Sequence, residues 1–558
     1  MFELFISFLI ILSIVFCSGL VFSNLIYKKN SIEFSLFEIG LLGIFFYVFI
    51  SLLIHFIFPL NQITNFITAT IIILIAIIFY KKKVIEKINQ NKLVILISLI
   101  VVIIMTIKYK PNEDYGFYHL PYIINLISEK IIFGLSNLQP QYSWNSTWLN
   151  FSSSFYLPII KLKGTQLSNS VLYFLTIGLL LNKILIKKKK NSFSFFFLIS
   201  LLFYTVIKFT RISEHGFDLP ANLLLLLSFY YFVELFESKF KNPEKNLILI
   251  LFFSVFSITI KLNTIPIALI LIIILIKLIL SKYDFRKLLK PFLLSSLFFI
   301  FWITQQYIYS ACFVPFLEIT CFKSSYWFNP DLIEGISSVT GAINKSYWQY
   351  SGTLSEIEYA KNFNWVSTWF NRNKIEIFEN LSAIILPLLF LLLFNIKNFK
   401  RTNQNFNFSK NKFLNYYILL FIFSGLSLWF LKSPVFRFGM PYIFTGTVFL
   451  IYLIMKLFYD KIEFKKGLIF LICLAFLFNI TKNINRILVL NDQKSVWPKI
   501  LDINYSTIQI GKFKINYPDS EIVSTQHNLC WSIPFLCDIN KGKNLNIEKK
   551  GKYIFILK

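Results

Sequence analysis

Charged residues are scarce in this chain, and long apolar stretches take their place. Asp, Glu, Lys and Arg together make up 15% of the 558 residues, whereas 56% are hydrophobic and 19% are aromatic. Soluble domains carry about 25% charged residues, so this composition excludes a soluble globular protein. Together with a mean hydropathy of +0.64, it predicts a polytopic membrane protein.

The motifs of several common soluble enzymes are also absent. The sequence contains no Gly-rich phosphate-binding loop, no His-Glu-x-x-His zinc helix and no Gly-x-Ser-x-Gly nucleophile elbow. It has no internal repeat and no low-complexity linker. Any chemistry must therefore depend on the few polar residues that lie between the apolar runs.

Apolar runs long enough to cross a bilayer recur from Phe2 to Ile480. A hydrocarbon core about 30 Å thick needs about 20 apolar residues per helix, which predicts an all-α polytopic bundle of about 13 to 14 membrane-spanning helices. Residues 1–92 are expected to form N-terminal accessory helices, and residues 93–480 a transmembrane core with two long outward loops, 108–166 and 309–380. Residues 481–558 are expected to form a small outward tail. Within the first loop, apolar spacing from Pro121 to Leu138 predicts an amphipathic helix, either on the membrane surface or packed on protein.

The net charge of +28 indicates topology rather than nucleic-acid binding, because the basic residues cluster in every second loop. The positive-inside rule places these loops in the cytoplasm. The clusters are Lys28 and Lys29, Lys81 to Lys83, Lys187 to Lys190, Lys239 to Lys245, Lys282 to Lys290, Lys397 to Arg401, and Lys461 to Lys466. No basic segment precedes the first span, so we expect an outward N-terminus and no cleaved signal peptide.

Four cysteines fall in segments that this topology places outside. Cys312 and Cys321 share one loop, and Cys530 and Cys537 share the tail. Two short-range disulfides would require an oxidising compartment such as a bacterial periplasm, and the alternative is four unpaired thiols. We therefore expect the protein in the bacterial inner (cytoplasmic) membrane.

Polar residues converge on the same outward face. Glu113 and Asp114 follow an apolar span beside His119, and the turn before the span that starts near Asp218 adds further polar residues: Arg211, Glu214 and His215. Neighbouring carboxylates such as Asp114 and Asp218 can hold a divalent cation, Mg²⁺ or Mn²⁺, or raise one another's pKa and so suit one of them to act as a general base. Equally, they can be solvated interfacial residues, and both histidines can pack and form hydrogen bonds without a metal.

Cations and aromatic side chains complete this set of candidates. Lys261, Arg437 and Arg211 can bind phosphate, although cations at helix ends also reach towards lipid headgroups. Tyr118, Trp144 and Trp148 can stack on a sugar ring or anchor the chain at the membrane interface.

The segment Asp114-x-x-x-Tyr118-His119-Leu120-Pro121 resembles the first outward loop of the GT-C superfamily of integral-membrane glycosyltransferases, which use polyprenyl-phosphate sugar donors. Three further segments resemble later motifs of that superfamily, in the same order: Asp218-Leu219-Pro220, Lys261-Leu262-Asn263-Thr264 and Arg437-Phe438-x-x-Pro441. The resemblance covers roughly Leu93 to Met455. The chain departs from the superfamily pattern in three ways: Glu113 precedes Asp114, three extra spans precede the core, and the tail is unusual.

The resemblance implies that Asp114 is the base or metal-orienting carboxylate that activates an acceptor hydroxyl. Lys261 and Arg437 would then stabilise the lipid-linked phosphate as it leaves. The acceptor would be a glycan, lipid or protein of the cell envelope. Alternatives are a multi-pass transporter or flippase and a non-catalytic envelope-assembly protein. Transporters often contain repeats and charges at the membrane midplane, whereas the charges here cluster at one face.

Overall fold

Long apolar helices make up most of the computed structural model, which describes residues 1–26, 33–108, 113–186, 192–208, 215–315, 317–394, 412–458, 465–490, 495–519 and 528–558. Within these residues, ten helices are long and apolar enough to cross a membrane, and three shorter apolar helices accompany them. A polytopic, mainly helical protein is therefore confirmed.

Nineteen α-helices follow one another along the described residues. They are α1 (Phe2–Ile26), α2 (Leu36–His55), α3 (Gln62–Gln90), α4 (Lys92–Thr106), α5 (Leu120–Ser128), α6 (Thr147–Ser153), α7 (Leu162–Thr165), α8 (Ser168–Ile186), α9 (Phe193–Lys208), α10 (Asp218–Glu237), α11 (Glu244–Ile260), α12 (Ile267–Leu280), α13 (Leu289–Ser310), α14 (Pro330–Asn344), α15 (Glu356–Ala360), α16 (Val366–Leu393), α17 (Lys412–Lys432), α18 (Phe436–Phe458) and α19 (Lys465–Val489). A single π-helical turn, Tyr115–His119, leads into α5.

One continuous hydrophobic core joins the predicted parts, since it contains residues from Leu4 in α1 to Ile556 near the C-terminus. The first two helices approach closely because glycines face the partner backbone. A Cβ at Gly19 would lie 1.9 Å from the carbonyl oxygen of Ile39, and one at Gly43 would lie 2.0 Å from that of Val15. The predicted accessory helices therefore share the core of the rest of the bundle.

Ion pairs distinguish the two ends of the bundle. Glu3 accepts a hydrogen bond from Lys163 at 3.0 Å and another from the indole of Trp497 at 3.2 Å. The N-terminus, the first long loop and the tail therefore lie at one end, which we call the tail end. This shared side agrees with the predicted topology.

At the opposite end, the buried carboxylate of Glu38 in α2 is 2.9 Å from Lys183 of α8 and 2.7 Å from Lys245 of α11. Tyr231 of α10 donates its hydroxyl to the same group at 2.8 Å. Four helices are thus joined around one carboxylate.

The tail contains strands, which an all-α prediction did not include. They form two antiparallel pairs, β1 (Tyr505–Ile510) with β2 (Phe513–Pro518) and β3 (Asn546–Lys550) with β4 (Tyr553–Leu557). Phe133 lies beside the last strand, because its N–H donates to Ile554 and its carbonyl accepts from Ile556, both at 2.9 Å. The tail is therefore attached to the first long loop.

Both predicted disulfides, Cys312–Cys321 and Cys530–Cys537, are present. The predicted amphipathic helix is shorter than expected, since α5 ends at Ser128 and most of its residues are buried. Past this point the chain is extended at Glu129, and the N–H of Ile131 donates to the carbonyl of His55. This segment packs on protein rather than on a membrane surface.

Candidate functional site

Four of the predicted site residues come together at the tail end. Asp218 accepts hydrogen bonds from Lys261 and from Nε of Arg437, the latter at 2.7 Å. Nη2 of Arg437 also lies 3.5 Å from Oδ2 of Asp114. We call Asp114, Asp218, Lys261 and Arg437 the ionic cluster. It brings together residues from four separate segments of the sequence.

Helix ends place three of these four side chains. Asp218 is the first residue of α10, and Lys261 caps the C-terminus of α11, so each charge has the sign that the helix dipole favours. Arg437 lies in the first turn of α18, where a cation is disfavoured by the dipole. The two carboxylates beside it offset that cost.

A set of amide and hydroxyl groups fixes the backbone around the ionic cluster. Asn222 donates to the carbonyl of Arg437 at 2.9 Å, and Asn263 donates to the carbonyl of Phe438 at 3.1 Å. Tyr442 donates its hydroxyl to the carbonyl of Asn263 at 2.7 Å. These contacts join three parts of the chain: α10, α18 and the short segment that follows α11. Sequence reasoning assigned no role to Asn222 or Tyr442, because nothing local marks an amide or phenol that reaches a distant carbonyl.

Aromatic rings surround the cations. The ammonium of Lys261 lies 3.6 Å from the ring centre of Phe438 and 5.3 Å from that of Phe217. Cation–π contacts of this kind favour the charged ammonium. Phe438 directly follows Arg437 in the sequence, so the quoted motif already contained it.

Burial shifts the pKa values of two residues of the ionic cluster, upwards for Asp114 and downwards for Lys261. Burial raises the pKa of Asp114. The negative charges of Asp218 and Glu113 raise this pKa further, whereas the positive charges of Arg437 and Lys261 lower it. Burial also lowers the pKa of Lys261 to about 8, although Asp218 opposes this change. The side chain of Arg437 remains 49% exposed and that of Asp114 33% exposed. An accessible cation thus lies beside a carboxylate that takes up a proton more readily than usual.

Both candidate histidines are buried, and burial favours the neutral form of each imidazole. Burial lowers the pKa of His119 to about 3 and that of His215 well below its ordinary value. His119 packs against the rings of Tyr118 and Phe217 at 4.3 and 5.2 Å, and His215 stacks on Tyr115 at 5.1 Å. Of the two alternatives, packing and metal binding, these ring contacts fit packing.

The candidate stacking residues differ in their surroundings. Tyr118 is partly exposed and interacts electrostatically with Arg437, whereas Trp144 is half-buried in the turn after Pro140–Ser143. Trp148 is fully buried, and its indole donates to Oδ1 of Asn169 at 2.7 Å. Trp148 was expected either to stack on a sugar ring or to anchor the chain at the membrane interface, and its burial agrees with neither, because its ring is part of the protein core.

The remaining predictions concern a metal and the second acidic motif. Within the described residues, no group of three or more His, Cys, Asp or Glu side chains could hold a metal ion, and Asp218 already has two cationic partners. Glu113 is exposed beside Asp114. Arg211 and Glu214 lie outside the described residues.

Comparison with known proteins gives a family but no activity. The chain belongs to the family described as Domain of unknown function (DUF8201), whose model matches residues 1–444. Neither a curated protein nor a solved structure is similar enough to match the chain.

Proposed function

We propose that this member of the DUF8201 family is an integral-membrane glycosyltransferase that transfers a sugar from a polyprenyl-phosphate-linked donor to a glycan, lipid or protein of the cell envelope. The observation that carries the proposal is the ionic cluster. The four charged residues belong to segments that resemble ordered GT-C motifs, and a chain of ion pairs joins them: Lys261 to Asp218, Asp218 to Arg437, and Arg437 to Asp114.

Binding of the donor phosphate is assigned to Arg437 and Lys261. A guanidinium group can bind a phosphate through two parallel hydrogen bonds, and half of the Arg437 side chain is accessible. Lys261 is less exposed and is held by Asp218, so it acts as a fixed charge. Cations in a site of low dielectric constant stabilise the charge that develops on the departing phosphate.

Asp114 is assigned as the general base. Its carboxylate accepts the proton of the acceptor hydroxyl while that oxygen bonds to the anomeric carbon of the sugar. The bond between this carbon and the phosphate oxygen breaks, and its electron pair leaves with the polyprenyl phosphate. A base works best when its pKa lies near the working pH, and burial moves the pKa of Asp114 in that direction.

We place the tail end in the periplasm of a bacterial inner membrane. The two disulfides support this assignment, because such bonds persist in oxidising compartments. At the opposite end, Lys87, Lys183 and Lys245 gather around Glu33 and Glu38, as the positive-inside rule expects of a cytoplasmic face.

The test uses membranes that contain the full-length protein, a panel of polyprenyl-phosphate sugars as donors and an extract of envelope glycans, lipids and proteins as acceptors, with release of polyprenyl phosphate as the measurement. Asp114→Asn should lower turnover by about 100-fold or more, and Asp331→Asn, which alters an exposed aspartate in the other long loop, is the matched control. Full activity of Asp114→Asn would remove Asp114 as the base. Absence of wild-type turnover with every donor would contradict the glycosyltransferase assignment.

A further inference from the structure

The tail touches the first motif through Trp531, a side chain that none of the motifs includes. The side chain of Trp531 is fully buried, and the backbone N–H of Trp531 donates to the backbone carbonyl of Gly116 at 2.9 Å. The indole lies so close to Gly116 that a Cβ at this position would be 2.2 Å from a ring carbon. The ring also meets Tyr115 edge-on at 5.7 Å. Only glycine fits at residue 116 while the indole occupies this position.

A disulfide and a small hydrophobic cluster hold Trp531 in place. Cys530, its neighbour in the sequence, is bonded to Cys537. Both cysteines pack with Tyr115, Leu120 and Trp531 in a cluster that is separate from the main core. The short loop between the cysteines therefore presents the indole to the first motif.

Tyr115 is held from two further directions. Gln166 donates to its hydroxyl at 2.7 Å, and the same amide group lies 3.5 Å from the carbonyl of Pro498 in the tail. On its other side, Tyr115 stacks on His215. Tyr115 and Gly116 directly follow Asp114 and begin the π-helical turn Tyr115–His119. Contacts that fix these two residues also fix the backbone from which the Asp114 carboxylate extends.

We infer that Trp531 is a positioning residue for Asp114, so that the tail is a working part of the site. This inference rests on the proposed function for its kinetic consequence, but its structural consequence can be measured without any substrate. A displacement of about 1 Å in a reacting group can cost about 100-fold in rate. The π-helical turn is held in place by the Trp531 indole against Gly116, and the nearby disulfide fixes that indole. Loss of the indole can therefore displace the turn by such a distance.

The substrate-free test is hydrogen–deuterium exchange of the full-length protein in lipid nanodiscs, followed in peptides that cover residues 113–122. Trp531→Ala should speed exchange there by about tenfold or more, and Trp531→Phe, which keeps a ring against Gly116, should restore most of the protection. Trp348→Ala is the control, since Trp348 is 59% exposed and lies in the other long loop. Unchanged exchange in Trp531→Ala would overturn the inference.

A second variant tests whether the contact with Gly116 is the cause. Gly116→Ala should displace the indole and speed exchange, but it should add little when Trp531 is already Ala, because the clash is then gone. Such non-additivity is expected of two residues in direct contact. Additive effects would contradict the assigned contact.

The kinetic test separates positioning from loss of folded protein. Trp531→Ala should lower kcat by about tenfold or more while KM for the lipid donor stays within about twofold, because Lys261 and Arg437 lie outside the Trp531 contacts. Wild-type kcat in this variant, alongside an inactive Asp114→Asn, would overturn the positioning role. If the wild-type protein turns over no donor, the proposed function fails, and the exchange measurements still decide whether Trp531 holds the motif.

Discussion

Arg437 donates from Nε to Oδ2 of Asp218 at 2.7 Å, and this contact joins the starts of α18 and α10. The same carboxylate also accepts from Lys261. Asp114, in contrast, has a longer contact of 3.5 Å with Arg437. The two acids therefore differ in kind: Asp218 is the fixed anion that holds the cations, and Asp114 is the acid whose protonation can change.

This difference predicts unequal effects of two conservative substitutions on stability. Asp218→Asn removes the charge shared by two partly buried cations, which should lower the free energy of unfolding by about 1–3 kcal/mol. Asp114→Asn should change it by about 0.5 kcal/mol or less, because burial already disfavours the charged form. Thermal unfolding of the purified protein, followed by tryptophan fluorescence, measures both. Equal destabilisation by the two variants would contradict the assigned roles.

The ionic cluster also predicts a bell-shaped dependence of turnover on pH. Asp114 must be ionised to accept a proton, and its pKa is raised, so the acid limb should lie above the range of an ordinary aspartate. Lys261 must be protonated to stabilise phosphate, and its pKa is about 8, so turnover should fall as the pH rises through about 8.

Lys261→Arg is the matched variant for the alkaline limb, because guanidinium remains charged at these pH values. Its turnover should no longer fall near pH 8, although its geometry lowers the maximum. An alkaline limb that stays in place in this variant would assign the limb to a different group.

Much of the ionic cluster could be predicted from sequence, because each member stands beside an apolar run and helix ends can be located from such patterns. Asp218 begins a span and Lys261 ends one, so both had to lie near a membrane face. The direct contact between Asp218 and Arg437 could not be predicted from local pattern, since it depends on how distant helices pack. The same is true of Trp531, because its partner Gly116 is far from it in the sequence.

Trp148 shows why exposure is hard to predict in a segment rich in polar residues. Its neighbours Ser152 and Thr147 suggest an exposed loop, yet Ser152 donates to Ser168 and Thr147 is within 3.1 Å of Thr259. Polar groups that satisfy one another can be buried at low cost. The surrounding sequence therefore resembled an interface although it belongs to the core.

Trp148→Ala should consequently act on stability rather than on substrate binding. Removal of a buried Trp costs about 3–5 kcal/mol, and the hydrogen bond to Asn169 is lost as well. Trp348→Ala should cost about 0.5 kcal/mol or less, because this side chain is largely exposed. Chemical unfolding measures the difference between the two variants. If Trp148→Ala changed the KM for the donor and left stability unchanged, Trp148 would have to be assigned to the binding site.

Glu38 provides a test of whether stability and chemistry can be separated in this protein. Its carboxylate is fully buried between Lys183 and Lys245 at the end of the bundle opposite the ionic cluster. Glu38→Gln keeps the shape of the side chain but removes the buried negative charge that faces both ammonium groups, and such a loss costs about 3–5 kcal/mol. Turnover per folded molecule should stay at the wild-type value, because the two ends of the bundle do not share these contacts.

The matched control is Glu318→Gln, which removes an ion pair with Lys323 in which both side chains are 66% exposed. Exposed pairs contribute little to stability, so this variant should unfold close to the wild-type midpoint. If Glu38→Gln did the same, the carboxylate would not hold the four helices together. If it lowered turnover per folded molecule as strongly as Asp114→Asn does, the opposite end of the bundle would belong to the catalytic machinery, and chemistry confined to the tail end would be refuted.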